Sequence, residues 1–367
     1  MIYILLFLAA CFLSFSNGAN DNFKGVATLY GSGTTAFRTA INWATLTTFV
    51  GAVAAIFLAE TLVKNFSGKG LVPNDLIQNP IFATSIALGA AITVFLATKI
   101  GMPISTTHSL VGALVGTGIM AIGADFNFGK LSKAFLIPLI VSPLIAGLLS
   151  YLAYLIFRNF RKKLGITRNS CICLEEATVI LKETQTNVPI ESHRSIQLSK
   201  CKKKCDESYN GRIVGISAEK AVNTLHFISA GVVSFARGLN DTPKIVGLLL
   251  IINALEIKWG MIAVAITMAI GGMLNARKVG INISKKITPM NSGQGVTSNL
   301  VTGLLVTTAS VHGLPVSTTH VSVGSIFGIG TITKKSNHTM IKKILMSWVL
   351  TLPVAALFSA MVFYILK

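Results

Sequence analysis

The chain has 367 residues, of which 52% are hydrophobic and only 12% are charged, and its mean hydropathy is +0.67. Because soluble domains carry about 25% charged residues, this composition excludes an ordinary soluble domain and predicts an integral membrane protein. The formal net charge is +19. In a membrane protein such an excess is explained by basic residues in cytoplasmic loops. We therefore expect membrane lipid, and no nucleic acid, as a partner.

Apolar segments that approach the ~20 residues of a membrane-spanning helix follow one another along the chain. The first, Met1 to Phe15, is interpreted as a membrane helix and not as a secretory signal, because it lacks a basic leading region. The later segments are 39–63, 81–98, 104–122, 131–157, 222–252, 259–276, 296–311, 316–331 and 344–366.

One long polar stretch separates these segments into two groups. It holds twelve of the 32 Lys and Arg residues, all between 158 and 212. We predict an N-terminal membrane repeat at 1–157, a basic cytoplasmic linker at 158–219 and a C-terminal membrane repeat at 220–367.

The linker also carries four of the five cysteines, Cys171, Cys173, Cys201 and Cys205. Zinc sites usually have C-x2-4-C spacing in both pairs, and the first pair here is only Cys-x-Cys. Two readings stay open, a metal site of four thiolates or free reduced thiols. A structural disulfide is not expected on a cytosolic face.

The strongest signal is an internal repeat. "SFSNGANDNFK" (14–24) matches "SFARGLNDTPK" (234–244) at six of eleven positions, and "GMPISTTH" (101–108) matches "GLPVSTTH" (313–320) at six of eight. Two elements that recur in the same order indicate that the chain arose by duplication.

The distribution of basic residues predicts the orientation of the halves. With both termini outside, 22 basic residues lie inside, six outside and four within the membrane, as the positive-inside rule requires. Each half then crosses an odd number of times, so the repeats are inverted. Inverted repeats with interrupted helices are typical of secondary transporters.

The "PISTTH" elements predict anion binding at two helix starts. Pro103 is expected to open a helix over Ile104 to about Met120, with hydroxyl groups in its first turn. Unpaired N–H groups and the positive end of the helix dipole attract an anion there. The candidate substrate ligands are Ser105, Thr106, Thr107, Ser317, Thr318 and Thr319. The competing interpretation is that these residues only cap their own helices.

His108 and His320 follow these hydroxyls directly. A membrane histidine can carry protons or donate a structural hydrogen bond. We favour structural support of the cap.

The Asn-Asp pairs predict a cation site. An ionised Asp near the bilayer centre is unfavourable by about 2.5–3.5 kcal/mol, so two symmetric copies indicate function. Asn20, Asp21, Asn240 and Asp241 offer hard oxygen ligands, for sodium if sodium is used. Backbone carbonyls are expected to be freed where Gly18 and Gly238 loosen the helices. Alternatively, each Asp binds a proton or a protonated oxyanion.

Lys24 and Lys244 lie three residues after the two Asp residues. Each pair can simply be a structural i,i+3 ion pair within its helix. The lysines can also face the anion directly.

Four glycines at i,i+4 spacing, Gly112, Gly116, Gly324 and Gly328, are interpreted as helix packing positions. Asn299 is a lone polar residue that enters a predicted hairpin and is a candidate for lining the pathway.

Together these elements resemble the inorganic phosphate transporter (PiT) family, whose hallmarks are two G-x-N-D and two G-x-P-x-S-T-T-H elements. Here they are Gly18–Asp21, Gly238–Asp241, Gly101–His108 and Gly313–His320. The resemblance covers both membrane halves and excludes the linker. It implies cation-coupled uptake of phosphate, with the anion near the Ser-Thr-Thr helix starts and sodium or a proton around the Asn-Asp elements.

One departure from the resemblance affects the coupling ion. The family commonly reads G-A-N-D-V-A-N, whereas this chain has Asn22-Phe23-Lys24 and Thr242-Pro243-Lys244. A tethered ammonium where an Asn is common can occupy the place of a cation. The coupling ion therefore stays open.

We predict an all-α polytopic membrane protein of two inverted-topology repeats with broken helices and paired helical hairpins. It is expected to import inorganic phosphate across the plasma membrane by symport with sodium or a proton, with no cofactor other than a sodium ion if one is used. A sulfate permease of the same fold and an anion channel are the alternatives, and a homodimer is left open. An intramembrane hydrolase is disfavoured because every candidate nucleophile occurs twice.

Overall fold

The computed structural model describes residues 1–163, 170–177, 193–200, 218–252, 255–286 and 289–367, and at 170–177, 193–200, 218–219 and 285–286 it describes the backbone alone. The described chain forms two compact units. The membrane unit comprises Met1–Tyr154 and His226–Lys367, and the linker unit comprises Leu155–Leu225.

The membrane unit is helical, as the sequence predicts. The helices of its first half are α1 (Ile2–Asp21), α2 (Ala27–Gly31), α3 (Phe37–Leu58), α4 (Glu60–Asn65), α5 (Asn74–Ile77), α6 (Pro80–Ile100), α7 (Thr106–Ile122), α8 (Phe128–Leu131) and α9 (Ile137–Lys163). Those of its second half are α10 (Ala218–Val246), α11 (Ile257–Asn275), α12 (Arg277–Lys286), α13 (Ser292–Val311), α14 (Thr318–Thr333) and α15 (His338–Leu366).

Each half contains the same series of long helices. In the first half these are α1, α3, the hairpin α6–α7 and α9, and in the second half α10, α11, the hairpin α13–α14 and α15. For the membrane unit, this confirms the predicted all-α architecture of two repeats with paired hairpins.

Among the described residues, seven helical segments are long and apolar enough to cross a membrane. They are Ile2–Gly31, Phe37–Leu58, Pro80–Ile100, Thr106–Asp125, Phe128–Lys163, Ile257–Asn275 and His338–Leu366. Helices α10, α13 and α14 do not meet that criterion, since α14 has only 16 residues and the other two carry more polar residues.

The two halves interlock. Helix α1 packs against α6 of its own half and against α11 of the other, and α15 packs against α6 and α7. Leu13, Ile86, Leu239 and Met268 therefore belong to one buried apolar cluster. Because the halves share a core, we expect neither repeat to fold alone.

Four interruptions shape the central region. Helix α1 ends at Asp21 and continues as a 3-10 turn over Asn22–Val26, and α10 passes into a 3-10 turn at Gly247–Leu249. Helices α6 and α13 end before Gly101 and Gly313, whose φ angles of 77° and 71° suit glycine. The chain then runs extended into α7 and α14.

Two predicted details of these interruptions are wrong. Helix α7 starts at Thr106, not at Ile104, because Ser105 has extended backbone angles and its Oγ accepts a hydrogen bond from His108 N. The helices are not loosened at Gly18 and Gly238. A Cβ on Gly18 would overlap the carbonyl of Met268, and one on Gly238 that of Thr48, so both glycines permit close helix packing.

The linker unit contains two antiparallel strands, β1 (Ser170–Ala177) and β2 (His193–Lys200), with Ser170 opposite Lys200. Cys171 and Cys173 lie on β1. Cys201 and Cys205 lie outside the described residues, so the predicted metal site stays a prediction, as do the boundaries at 158 and 219.

Candidate functional site

The two Asn-Asp elements and the two hairpin turns meet in the middle of the membrane unit. Asn20 donates to the Met102 carbonyl at 3.0 Å and accepts from Ile104 N at 3.2 Å. In the second repeat Asn240 donates to the Val316 carbonyl at 3.2 Å. Each Asn therefore holds the extended segment of the hairpin in its own repeat, next to the Asp residue that follows the Asn in the sequence.

Lys24 is buried among three oxygen atoms from three parts of the chain. Its Nζ donates to Asp21 Oδ1 at 2.5 Å, to the Ile104 carbonyl at 2.5 Å and to Thr319 Oγ1 at 2.7 Å. Asp21 and Ile104 come from the first repeat, and Thr319 comes from the second. The lysine therefore connects the two repeats.

Lys244 has the equivalent surroundings with the repeats exchanged. Its Nζ donates to Asp241 Oδ1 at 3.3 Å, to the Val316 carbonyl at 2.7 Å and to Thr107 Oγ1 at 2.7 Å. The predicted i,i+3 ion pairs are thus present, and each is one part of a larger oxygen cage. The carbonyls come from the hairpin segments and not from the helix at Gly18 or Gly238.

Arg237 is a component whose role the sequence did not reveal. It is 1% exposed, and its Nη2 donates to Asn17 Oδ1 at 2.5 Å while its Nε lies 3.6 Å from Asp241 Oδ2. The sequence feature that could have identified it is an arginine inside an apolar segment, at the position that corresponds to Asn17.

Five charged side chains are buried together, three cations (Lys24, Arg237, Lys244) and two carboxylates (Asp21, Asp241). They leave an excess of one positive charge. Burying unpaired charge is strongly unfavourable, and an anion would neutralise this excess.

Four of the six predicted hydroxyl ligands divide into two roles. Ser105 and Ser317 cap their helices by accepting from the N–H groups of His108 and His320. Thr107 and Thr319 accept from the lysines.

Thr106 Oγ1 donates to Asp21 Oδ2 at 3.2 Å and accepts from Asn17 at 3.0 Å. Thr318 is buried at the equivalent position of the second repeat. The two helix starts therefore meet at the charged cluster, and capping is carried by the serines alone.

The two predicted histidines are in contact. The ring centroids of His108 and His320 lie 4.4 Å apart, and the His320 ring stacks on Trp348 at 3.6 Å. His320 Nδ1 lies 3.1 Å from the Leu139 carbonyl. These contacts fit the structural role favoured from the sequence, although the caps themselves use the backbone N–H groups of the histidines.

Asn299 lies in a separate polar network. It accepts from Thr28 Oγ1 at 2.9 Å and donates to Ser229 Oγ at 3.3 Å, and His226 Nε2 lies 3.1 Å from the same Thr28 hydroxyl. Its predicted place along the pathway stays a prediction.

The predicted packing glycines permit close contacts between helices. A Cβ on Gly116 would overlap the Ala356 carbonyl of α15, and a Cβ on Gly328 would overlap the Gly147 carbonyl of α9. Gly112 and Gly324 contact the same two helices.

A cavity of about 250 Å³ lies beside helix α6, and its lining includes Lys69, Gln78 and Phe82. Gly247 and Leu248 also line it, three and four residues after Lys244. Lys69 gives this cavity a positive charge.

A helical membrane unit of two repeats with a buried, charged centre defines a multi-pass membrane transporter. The model of the phosphate transporter family matches residues 17–359. The chain belongs to that family, and it is therefore a transporter and not an enzyme.

Relatives match over nearly their whole length. A phosphate permease by name from Haemophilus influenzae is 29% identical, covering 97% of this chain and 94% of the relative. A Bacillus subtilis protein named "Probable low-affinity inorganic phosphate transporter" is 27% identical, covering 100% and 99%. A solved structure titled "The sodium-dependent phosphate transporter" superimposes with a TM-score of 0.78 at 23% identity, covering 100% and 99%, and shares the fold.

Proposed function

We propose that this chain imports inorganic phosphate across the cell membrane by symport with a monovalent cation, sodium or a proton. The observation that carries the proposal is the buried cluster of Lys24, Arg237, Lys244, Asp21 and Asp241, with its excess positive charge. The family and the names of the relatives support phosphate as the anion.

The anion site is assigned to the two helix starts that meet at this cluster. N–H groups and the positive dipole ends of α7 and α14 favour an oxyanion, and the hydroxyls of Thr106 and Thr318 add donors. Sulfate has the same tetrahedral shape and is the alternative substrate. The cation acts at Asp21 and Asp241, whose carboxylates the cluster holds out of water.

The test is uptake of labelled phosphate and of labelled sulfate into proteoliposomes, with sodium and pH gradients imposed separately. We expect phosphate to accumulate against its gradient under one of them. Equal uptake with neither gradient would exclude symport and favour a channel. Uptake of sulfate in preference to phosphate would reassign the substrate.

Asp21→Asn tests the cation role. It leaves the buried Lys24 ammonium without its carboxylate, so we expect uptake to fall about a hundredfold or more. The matched control is Asp125→Asn, since Asp125 is exposed and its neutralisation should change nothing. Normal uptake by Asp21→Asn would remove Asp21 from the coupling site.

The same proposal places both termini outside and the 158–219 linker in the cytoplasm, because basic residues collect on the cytoplasmic side. A tag inserted in the linker should be protected from protease in intact cells, and a tag after Lys367 should be cleaved. The reverse pattern would contradict this orientation.

A further inference from the structure

The two lysines of the central cluster have the surroundings of a bound metal ion. Each Nζ is held by one carboxylate, one main-chain carbonyl and one threonine hydroxyl, namely Asp21, Ile104 and Thr319 for Lys24. Carboxylate, carbonyl and hydroxyl oxygens are the ligands that hard cations prefer in proteins.

The hydrogen-bonding capacity of each ammonium is filled by this cage. An ammonium has three N–H donors and no acceptor, and three oxygen atoms accept from Lys24 and three from Lys244. Both lysines are buried, with exposures of 5% and 1%. Their ammonium groups therefore end inside the cluster and do not reach water.

The two cages are equivalent under exchange of the repeats. Lys24 of the first repeat reaches Thr319 of the second, and Lys244 of the second reaches Thr107 of the first. A feature kept in both halves, at the interface between them, belongs to the shared site.

We propose that the ammonium groups of Lys24 and Lys244 occupy the two places of a coupling metal cation, so that this chain carries phosphate without sodium and couples it to protons. This inference rests on the proposed function. A sodium ion in either cage would have to share the same three oxygens with the tethered ammonium, and two positive charges that contact the same oxygen atoms repel strongly.

An ammonium can lose its positive charge by releasing a proton, whereas a sodium ion keeps its charge and has to leave the site. The Nζ–H bond breaks, the proton leaves to water on the side of release, and the neutral amine stays in place. A proton taken up from the other side restores the ammonium. Among the residues that the structure describes, the ionisable groups that interact with the two lysines are Asp21, Asp241, Arg237, His108 and His320.

The first test uses the unmodified chain in proteoliposomes. Replacing sodium by N-methyl-D-glucamine on both sides should leave the initial rate of phosphate uptake unchanged, and an acidic outside should drive accumulation. Radioactive sodium should not enter with phosphate. Stimulation by sodium of about tenfold or more, or sodium entry coupled to phosphate, overturns the inference.

The second test removes the ammonium groups from the two oxygen cages. Lys24→Asn and Lys244→Asn, singly and together, replace the ammonium with a shorter side chain that carries an amide oxygen, and we expect uptake to become sodium-dependent by about tenfold or more. Lys24→Met and Lys244→Met supply neither charge nor oxygen, so uptake should be lost with or without sodium.

Lys64→Asn is the matched control, because Lys64 is exposed and forms its ion pair at the surface. It should behave as the unmodified chain. Elution as a single species on size exclusion checks that each variant is folded.

The outcomes separate the two proposals. Phosphate uptake that requires sodium in the unmodified chain overturns this inference and leaves the proposed phosphate symport standing. Absence of phosphate uptake under every gradient overturns the proposed function, and this inference with it.

Discussion

The two repeats place the same kinds of oxygen acceptor around two lysines, and they differ at a buried position beside these cages. Asn17 in the first repeat corresponds to Arg237 in the second. Arg237 Nη2 donates to Asn17 Oδ1 at 2.5 Å, so the two unequal residues contact each other. Both repeats therefore contain the cage, and the residue beside it differs between them.

This difference changes what the two carboxylates do. Asp21 Oδ1 accepts from Lys24 at 2.5 Å, whereas Asp241 accepts from Lys244 at 3.3 Å and also lies 3.6 Å from Arg237. Asp241 thus neutralises two cations and Asp21 chiefly one. Arg237, which stands where the first repeat has Asn17, therefore supplies the excess positive charge that suits an anionic substrate.

The largest effect is expected from removing the shared carboxylate. Asp241→Asn leaves both Lys244 and Arg237 without their nearest negative charge, and loss of one partner from a buried pair destabilises by about 3–5 kcal/mol. We expect a larger fall in melting temperature than for Asp21→Asn, measured on the detergent-solubilised protein. Equal falls would show that the carboxylates are equivalent despite Arg237.

Making the repeats alike at the unequal position should weaken phosphate binding. Arg237→Asn removes the excess positive charge, and we expect the KM for phosphate uptake to rise about tenfold. Arg237→Lys, which keeps the charge, should recover most of the affinity. An unchanged KM in Arg237→Asn would mean that Arg237 serves only the packing of Asp241.

A smaller loss of stability is expected at the glycines through which both repeats pack against a neighbouring helix. Gly116→Ala and Gly328→Ala each place a methyl group on a facing carbonyl, and such overpacking is unfavourable by about 1–3 kcal/mol. Thermal unfolding should show similar losses for both. Gly129→Ala is the control, because a Cβ there meets Asn127 Oδ1 at an ordinary distance of 3.5 Å.

The smallest effect is expected for an ion pair outside the cluster. Lys64 and Glu60 lie 2.7 Å apart, but their side chains are 67% and 74% exposed, and exposed pairs contribute little. Glu60→Gln should leave both the melting temperature and phosphate uptake unchanged. A clear loss would indicate that the α4 segment takes part in transport.

Much of the architecture could be predicted because it depends on local patterns. Apolar length predicts the long helices, and the repeated elements predict two similar halves. The glycines at i,i+4 spacing were correctly interpreted as packing positions, since small residues at that spacing let helices approach closely.

The predictions failed where a local rule had several outcomes. Proline favours a first helical turn, but Ser105 provides the cap that begins α7, so the helix starts later than Pro103 suggests. A glycine such as Gly18 can loosen a helix, or it can let a neighbouring helix approach closely. The position of the Met268 carbonyl, which leaves no room for a Cβ at Gly18, shows that this glycine serves helix packing.

The sequence by itself determined the membrane class, the duplication and the residue types of the central cluster, because these depend on composition and on short repeated motifs. Only the tertiary structure decided which oxygens surround the lysines. Thr319 lies 295 positions from Lys24, and the Ile104 carbonyl lies 80 positions away. The contact with Thr319 is created by the packing of the two repeats, and the contact with Ile104 by the packing of distant segments within the first repeat. No short sequence motif contains either contact.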